Sequence, residues 1–94
     1  MDKLEFKIKT LESIDKLFDQ VEEMEQKRNQ LNDSLKHKYD QGVDGLKKRR
    51  AEMKEKLNEY ESATLENQKK LKETLSASMK HYKAGFDELS KLFK

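Results

Sequence analysis

Three groups of side chains in this sequence are of types from which chemistry is built: two imidazoles, a pair of carboxylates and a run of four cations. His37 and His81 are the imidazoles, the residue type that most often binds metals and moves protons near neutral pH. Neither stands in a His-x-x-x-His or Glu-x-x-His spacing, the kind that converges several ligands from a helix. Glu22 and Glu25 in "VEEMEQ" sit three apart, but the histidine of a helical di-iron site is missing. These carboxylates are expected in solvent or paired with Lys69, Lys70 and Lys72. The chain has no cysteine, no serine in a glycine elbow and no G-x-x-x-x-G-K loop. The sequence therefore predicts no catalytic residue, no cofactor and no metal site, and it points away from an enzyme.

The cations belong to "YDQGVDGLKKRR", residues 39–50, where Gly42 and Gly45 are followed by Lys47, Lys48, Arg49 and Arg50. Carried at the tip of a hairpin, such a run would suit phosphates or an acidic partner. The plainer expectation is a solvated face, since 43% of the residues are charged. Four successive helical positions also point in several directions rather than along one groove.

The elements that would position these groups read as helices throughout. The 94 residues include no proline and three glycines, and 33% are apolar, a mixture typical of long helices and coiled coils. Asp2 and Glu5 are spaced as a capping box, and apolar residues then recur every three or four positions from Leu4 to Tyr39, with Arg28 in one expected place. Gln41 and Gly42 form a plausible stop, and Asp44 is a candidate cap for a second helix. The expected fold is thus all-α: a two-helix antiparallel hairpin with helices over 3–41 and 46–93. Its turn would be Gly42, Val43, Asp44 and Gly45. That turn would set Ile8 against Met79, Leu11 against Leu75, Leu31 against Leu57 and Leu35 against Met53. Arg28 would face Glu59 and Tyr60. Eleven-residue spacings (Tyr60, Leu71, Tyr82, Phe93; Met53, Thr64, Leu75, Phe86) predict a nearly straight second helix, with "ESATLENQ" a soft point for a kink. One uninterrupted helix through both glycines is the competing reading, at about 1 kcal/mol for each glycine.

Two helices alone leave half of each stripe exposed, so a homodimer or a heterodimer with another helical protein, forming a four-helix bundle, is expected. The partner-facing residues would be Leu17, Val21, Met24, Leu31, Leu35, Met53, Leu57, Tyr60, Leu71, Leu75, Met79, Tyr82, Phe86, Leu89 and Phe93. At ~1.5 Å per residue the helices would measure ~60 and ~74 Å, so residues 85–94 would overhang with Phe86, Leu89, Leu92 and Phe93 uncovered. The net charge is +2, too small by itself to imply nucleic acid. "MDKLEFKIKT" lacks the apolar core of a signal peptide, and no apolar run is long enough for a membrane span. The expectation is a chain soluble in the cytoplasm where it is made, with signal-independent export open. The ends at Asp2 and Lys94 suggest a complete natural chain.

Two helices of some 40 residues around a glycine turn, with no cysteine, resemble the small helical-hairpin proteins of type VII secretion. The turn Val43-Asp44-Gly45 keeps the glycine of that family's Trp-x-Gly and lacks its tryptophan. The family's Tyr-x-x-x-Asp/Glu export signal has no C-terminal match, because Tyr82 is followed by Phe86; Phe18-x-x-x-Glu22 has the spacing in the first half. The resemblance implies dimerisation and a noncatalytic helper, targeting or chaperone-like role beside a larger secreted toxin or effector. A basic hairpin is also similar to the tRNA-contacting coiled-coil arm of some synthetases, which would make Lys47, Lys48, Arg49 and Arg50 the working residues. A purely architectural dimerisation module is the third reading.

Overall fold

The computed structural model describes residues 3–93. Asp2 and Lys94, to which the sequence assigns the helix ends, lie outside the described residues. The chain is all-helical, as its composition predicts, but it turns twice rather than once. Helix α1 spans Lys3–Glu25, a 3-10 turn spans Arg28–Gln30, α2 spans Asp33–Ser62 and α3 spans Leu65–Lys91. The expected turn at Gly42, Val43, Asp44 and Gly45 is corrected: all four residues lie inside α2.

Local capping chemistry explains where the breaks fall. Asn32 is extended, and its side-chain oxygen accepts from Leu35 N at 2.9 Å, which satisfies one of the free amides that open α2. Thr64 does the same for α3, accepting from Asn67 N at 3.3 Å. Gln68 Nε2 reaches back to donate to Ala63 O at 3.0 Å, so one side chain closes the end of α2 from the start of α3. Asp44, the candidate cap, lies inside α2 instead, and neither glycine has a positive φ. Crossing them costs about 1 kcal/mol per glycine. Burying Tyr39, Val43 and Leu46 along the same turns contributes more, roughly 1.5–3 kcal/mol for each large apolar side chain.

The three helices pack up-down-up. Arg28 meets Asp40, Asp15 meets Arg50, and Lys7 meets Glu61, which fixes α1 antiparallel to α2. Gly42 lies against Leu89, and Gly85 against Leu46, which fixes α2 antiparallel to α3. The Tyr82 hydroxyl reaches Ile14 O and the Ser90 hydroxyl reaches Met24 Sδ, so α1 and α3 run parallel. The Cα trace measures 49 × 17 × 17 Å, well short of the ~74 Å expected for an unbroken second helix.

Burial follows a seven-residue period, the mark of coiled-coil-like packing. Tyr39, Leu46, Met53 and Tyr60 are buried on α2, with Val43 and Leu57 beside them, and Gln68, Leu75, Tyr82 and Leu89 are buried on α3. The eleven-residue spacing does not describe the packing, because it bridges the break at residues 63–64 and counts the cap Thr64 as a stripe position. Pairs such as Leu35 and Met53 cannot meet, since both now lie on α2.

Candidate functional site

The residues expected to face a partner are mostly the core of the single chain. Val21, Leu31, Met53, Leu57, Tyr60, Leu75, Tyr82 and Leu89 are buried among its three helices. Leu17, Met24, Leu35, Met79, Phe86 and Phe93 are half-buried and pack against that core, and Leu71 is half-buried too. The expected C-terminal overhang is also corrected. Moving the turn to residues 63–64 brings the end of α3 beside the start of α2, so Phe93 meets Tyr39 edge-on at 5.7 Å and 86°. Leu89 is buried there, and Phe86 and Leu92 pack against the core. A third helix supplies the cover that a second copy was expected to bring.

The four cations sit in the middle of α2, away from any tip. Lys47 and Lys48 are exposed, while Arg49 and Arg50 are half-buried. Arg50 occupies the heptad position between Val43 and Leu57. Its Cζ lies 4.3 Å from the centre of the Phe18 ring, and Nη2 donates to Asp15 Oδ1 at 3.3 Å. Its Nε is buried without a hydrogen-bond partner. Lys54 Nζ approaches the same Asp15 oxygen at 3.4 Å. Of the four cations, Arg50 is thus engaged by Phe18 and Asp15 of α1, while Lys47 and Lys48 stay exposed.

Arg28 does not reach Glu59 or Tyr60. It grips Asp40 with Nε–Oδ1 at 2.8 Å and Nη2–Oδ2 at 2.7 Å, a fork that closes the connector onto α2. These bonds hold the Asp40 carboxyl below its ordinary value and raise the Arg28 guanidinium. Glu25, expected in solvent or near lysines, accepts from the Tyr39 hydroxyl at 2.8 Å. Burial, reinforced by that carboxylate, pushes the Tyr39 phenol well up, and burial raises Tyr82 as well. Lys72 lies over the Phe6 ring at 5.2 Å. His37 and His81 are both exposed. Among the described residues no cluster of three or more His, Cys, Asp or Glu could hold a metal ion, and no helix is long and apolar enough to cross a membrane.

The seam that sequence reasoning missed runs between α1 and α3. Among the described residues, every ion pair between elements joins α1 or its connector to α2, and none joins α1 to α3. The close glycine contacts, in turn, draw α3 toward α2. Concavities lie on all three seams, one beside Phe18 and Val43 between α1 and α2, one beside Gly42 and Leu89 between α2 and α3, and two along the α1/α3 seam. Of these two, one lies between Phe6, Lys9, Thr10 and Ser13 of α1 and Leu75, Ser76, Met79, Lys80 and Lys83 of α3. The other lies between Gln20, Glu23 and Met24 on one side and Phe86 and Ser90 on the other, with Gln26 and Lys27 at its end. Half-buried Phe6, Leu17, Met24, Met79 and Phe86 line this seam or flank it. Its signal in the sequence is a second apolar column on α1, Leu17 and Met24, offset from the buried column Ile14 and Val21. No protein family, curated protein or solved structure matches the chain.

Proposed function

We propose that the protein is a noncatalytic interaction module that receives a helix of another protein in its α1/α3 seam. The observation that carries this reading is that α1/α3 is the least tied of the three seams and holds two of the concavities, where each of the others holds one. Ion pairs tie α1 to α2, and glycine contacts bring α3 against α2, whereas among the described residues no ion pair joins α1 to α3, and half-buried Met and Phe side chains line the concavities between them. Methionine and phenylalanine in such a line suit a helical partner, because flexible thioethers and flat rings adapt to an incoming apolar face. A fourth helix laid antiparallel to α1 and α3 would complete an up-down-up-down bundle. The four-helix arrangement expected from the sequence is thus retained, with one foreign helix in place of a second hairpin. The secretion-helper form of the reading rested on a glycine turn that α2 replaces, and the proposal does not extend to it.

The test is selection from a displayed library of helical peptides, followed by chemical-shift mapping on the intact chain. Selected peptides are expected to move amides of α1 and α3 around Met24, Met79 and Phe86. A library that yields no binder, or binders confined to the outer face of α2, would contradict the proposal.

A further inference from the structure

We infer that the helix received by this seam is acidic where it crosses the first turns of α1, an inference that rests on the reading above and adds the chemistry of the partner. The concavity between Phe6 and Met79 has an apolar floor and a rim that carries only positive charge: Lys9, Lys80 and Lys83, with no carboxylate lining it. Lys9 has a partner within its own helix, Glu5 at 3.4 Å, and both side chains remain half exposed or more. Lys80 and Lys83 lie within ion-pair distance of no carboxylate among the described residues. The other cationic surface, Lys47 with Arg50 and Lys54, differs in that Asp15 already pairs with two of its three charges.

The shape of the site favours a helix over a nucleic acid. Leu75 and Met79 offer apolar contact but no ring for a base to stack on, and Phe6 is already engaged by Tyr60 at 4.9 Å and by Lys72. Short Thr10, Ser13 and Ser76 side chains line the groove between its lysines, which lets a partner backbone come close. An amphipathic helix with an apolar seam and flanking Glu or Asp meets both features, with the charges steering approach and the seam supplying the buried area.

The experiment uses the intact chain and two labelled helical peptides of one apolar seam, one flanked by Glu and one by Lys, read by fluorescence anisotropy. The Glu peptide is expected to bind, and Lys80→Glu with Lys83→Glu to weaken it by about tenfold or more while raising affinity for the Lys peptide. Ser76→Trp, at an exposed position that leaves the core untouched, should abolish binding with an unchanged thermal melt. Equal binding of both peptides would overturn the acidic partner and leave the helix-receiving reading standing. If neither peptide bound and the library gave no binder, both would fall. Binding that survives Ser76→Trp, a groove filled by a second copy in light scattering, or displacement of the Glu peptide by an oligonucleotide would also overturn the inference.

Discussion

Gly42 and Leu89 approach so closely that a methyl group on Gly42 would lie 2.9 Å from Leu89 Cδ1. The glycine that reads as a turn in the sequence is instead a contact point between two helices. Gly45, three residues on, has no atom within 4 Å of the position its Cβ would take. The two glycines should therefore respond differently to alanine. Gly45→Ala is expected to stabilise the chain by about 0.5–1 kcal/mol, because it removes unfolded-state freedom at an open helical site. Gly42→Ala should gain less or lose, because the tip of Leu89 must shift within a packed seam. Urea midpoints of the two variants check this, and a loss of stability in Gly45→Ala would argue against continuous helix there.

The hydroxyls of two buried tyrosines both reach α1. Tyr39 donates to Glu25 and lies 3.3 Å from Val21 O, and Tyr82 lies 3.3 Å from Ile14 O. Both phenols are raised above the ordinary 10.0 by burial, Tyr39 also by Glu25. In a raised phenol the folded chain keeps its proton after the unfolded chain has lost it. The associated stability is whole below pH 10 and declines as pH rises above that value. The melting temperature should accordingly fall as pH rises above about 10, and Tyr39→Phe with Tyr82→Phe should fall less steeply. At neutral pH each substitution should cost about 0.5–1.5 kcal/mol for its hydrogen bond. Parallel slopes for the wild type and the double variant would contradict the burial of these hydroxyls.

The class of fold was legible in the sequence because helical periodicity and the absence of proline hold along the whole chain. The apolar residues were legible too, since Val21, Leu57, Leu75 and Leu89 are buried as their spacing implies. The turns were not. Glycine is a strong turn signal on average, but its effect in a helix is only about 1 kcal/mol, and burial of neighbours such as Val43 and Leu46 overrides it. The true breaks depend on Asn32, Thr64 and Gln68, whose capping roles emerge only once a helix start is placed beside them. A seven-residue reading of Gln68, Leu75, Tyr82 and Leu89 would have found α3. The eleven-residue reading hid it by running through Thr64. The α1/α3 seam was beyond reach, because it depends on which pair of three helices packs least closely.

Arg50 stands where the seam of α2 otherwise places Val43 and Leu57. Its Nε is buried and unpaired, while its removal leaves Asp15 half exposed and still near Lys54. An unmet buried donor costs roughly 1–3 kcal/mol, and this offsets the ion pair and the Phe18 contact. Arg50→Leu should therefore leave stability within about 1 kcal/mol of the wild type. Leu57→Ala, one heptad away, should lose about 2–5 kcal/mol. Chemical denaturation of both variants checks the contrast, and a large loss in Arg50→Leu would show that the guanidinium is needed within the core.

The continuity of α2 through its two glycines governs everything else, since it sets the number of helices and so which seam is least tied. Spin labels at Ser34→Cys and Glu59→Cys report on it directly, because both positions are exposed and the chain has no other cysteine. Along one helix the labelled backbone positions stand ~37 Å apart at ~1.5 Å per residue. Pulsed dipolar spectroscopy on the doubly labelled chain should give a single distance population near ~37 Å, broadened by the label arms. A dominant population below ~20 Å would mean that the chain folds back between these sites, because unbroken helix cannot bring them so close.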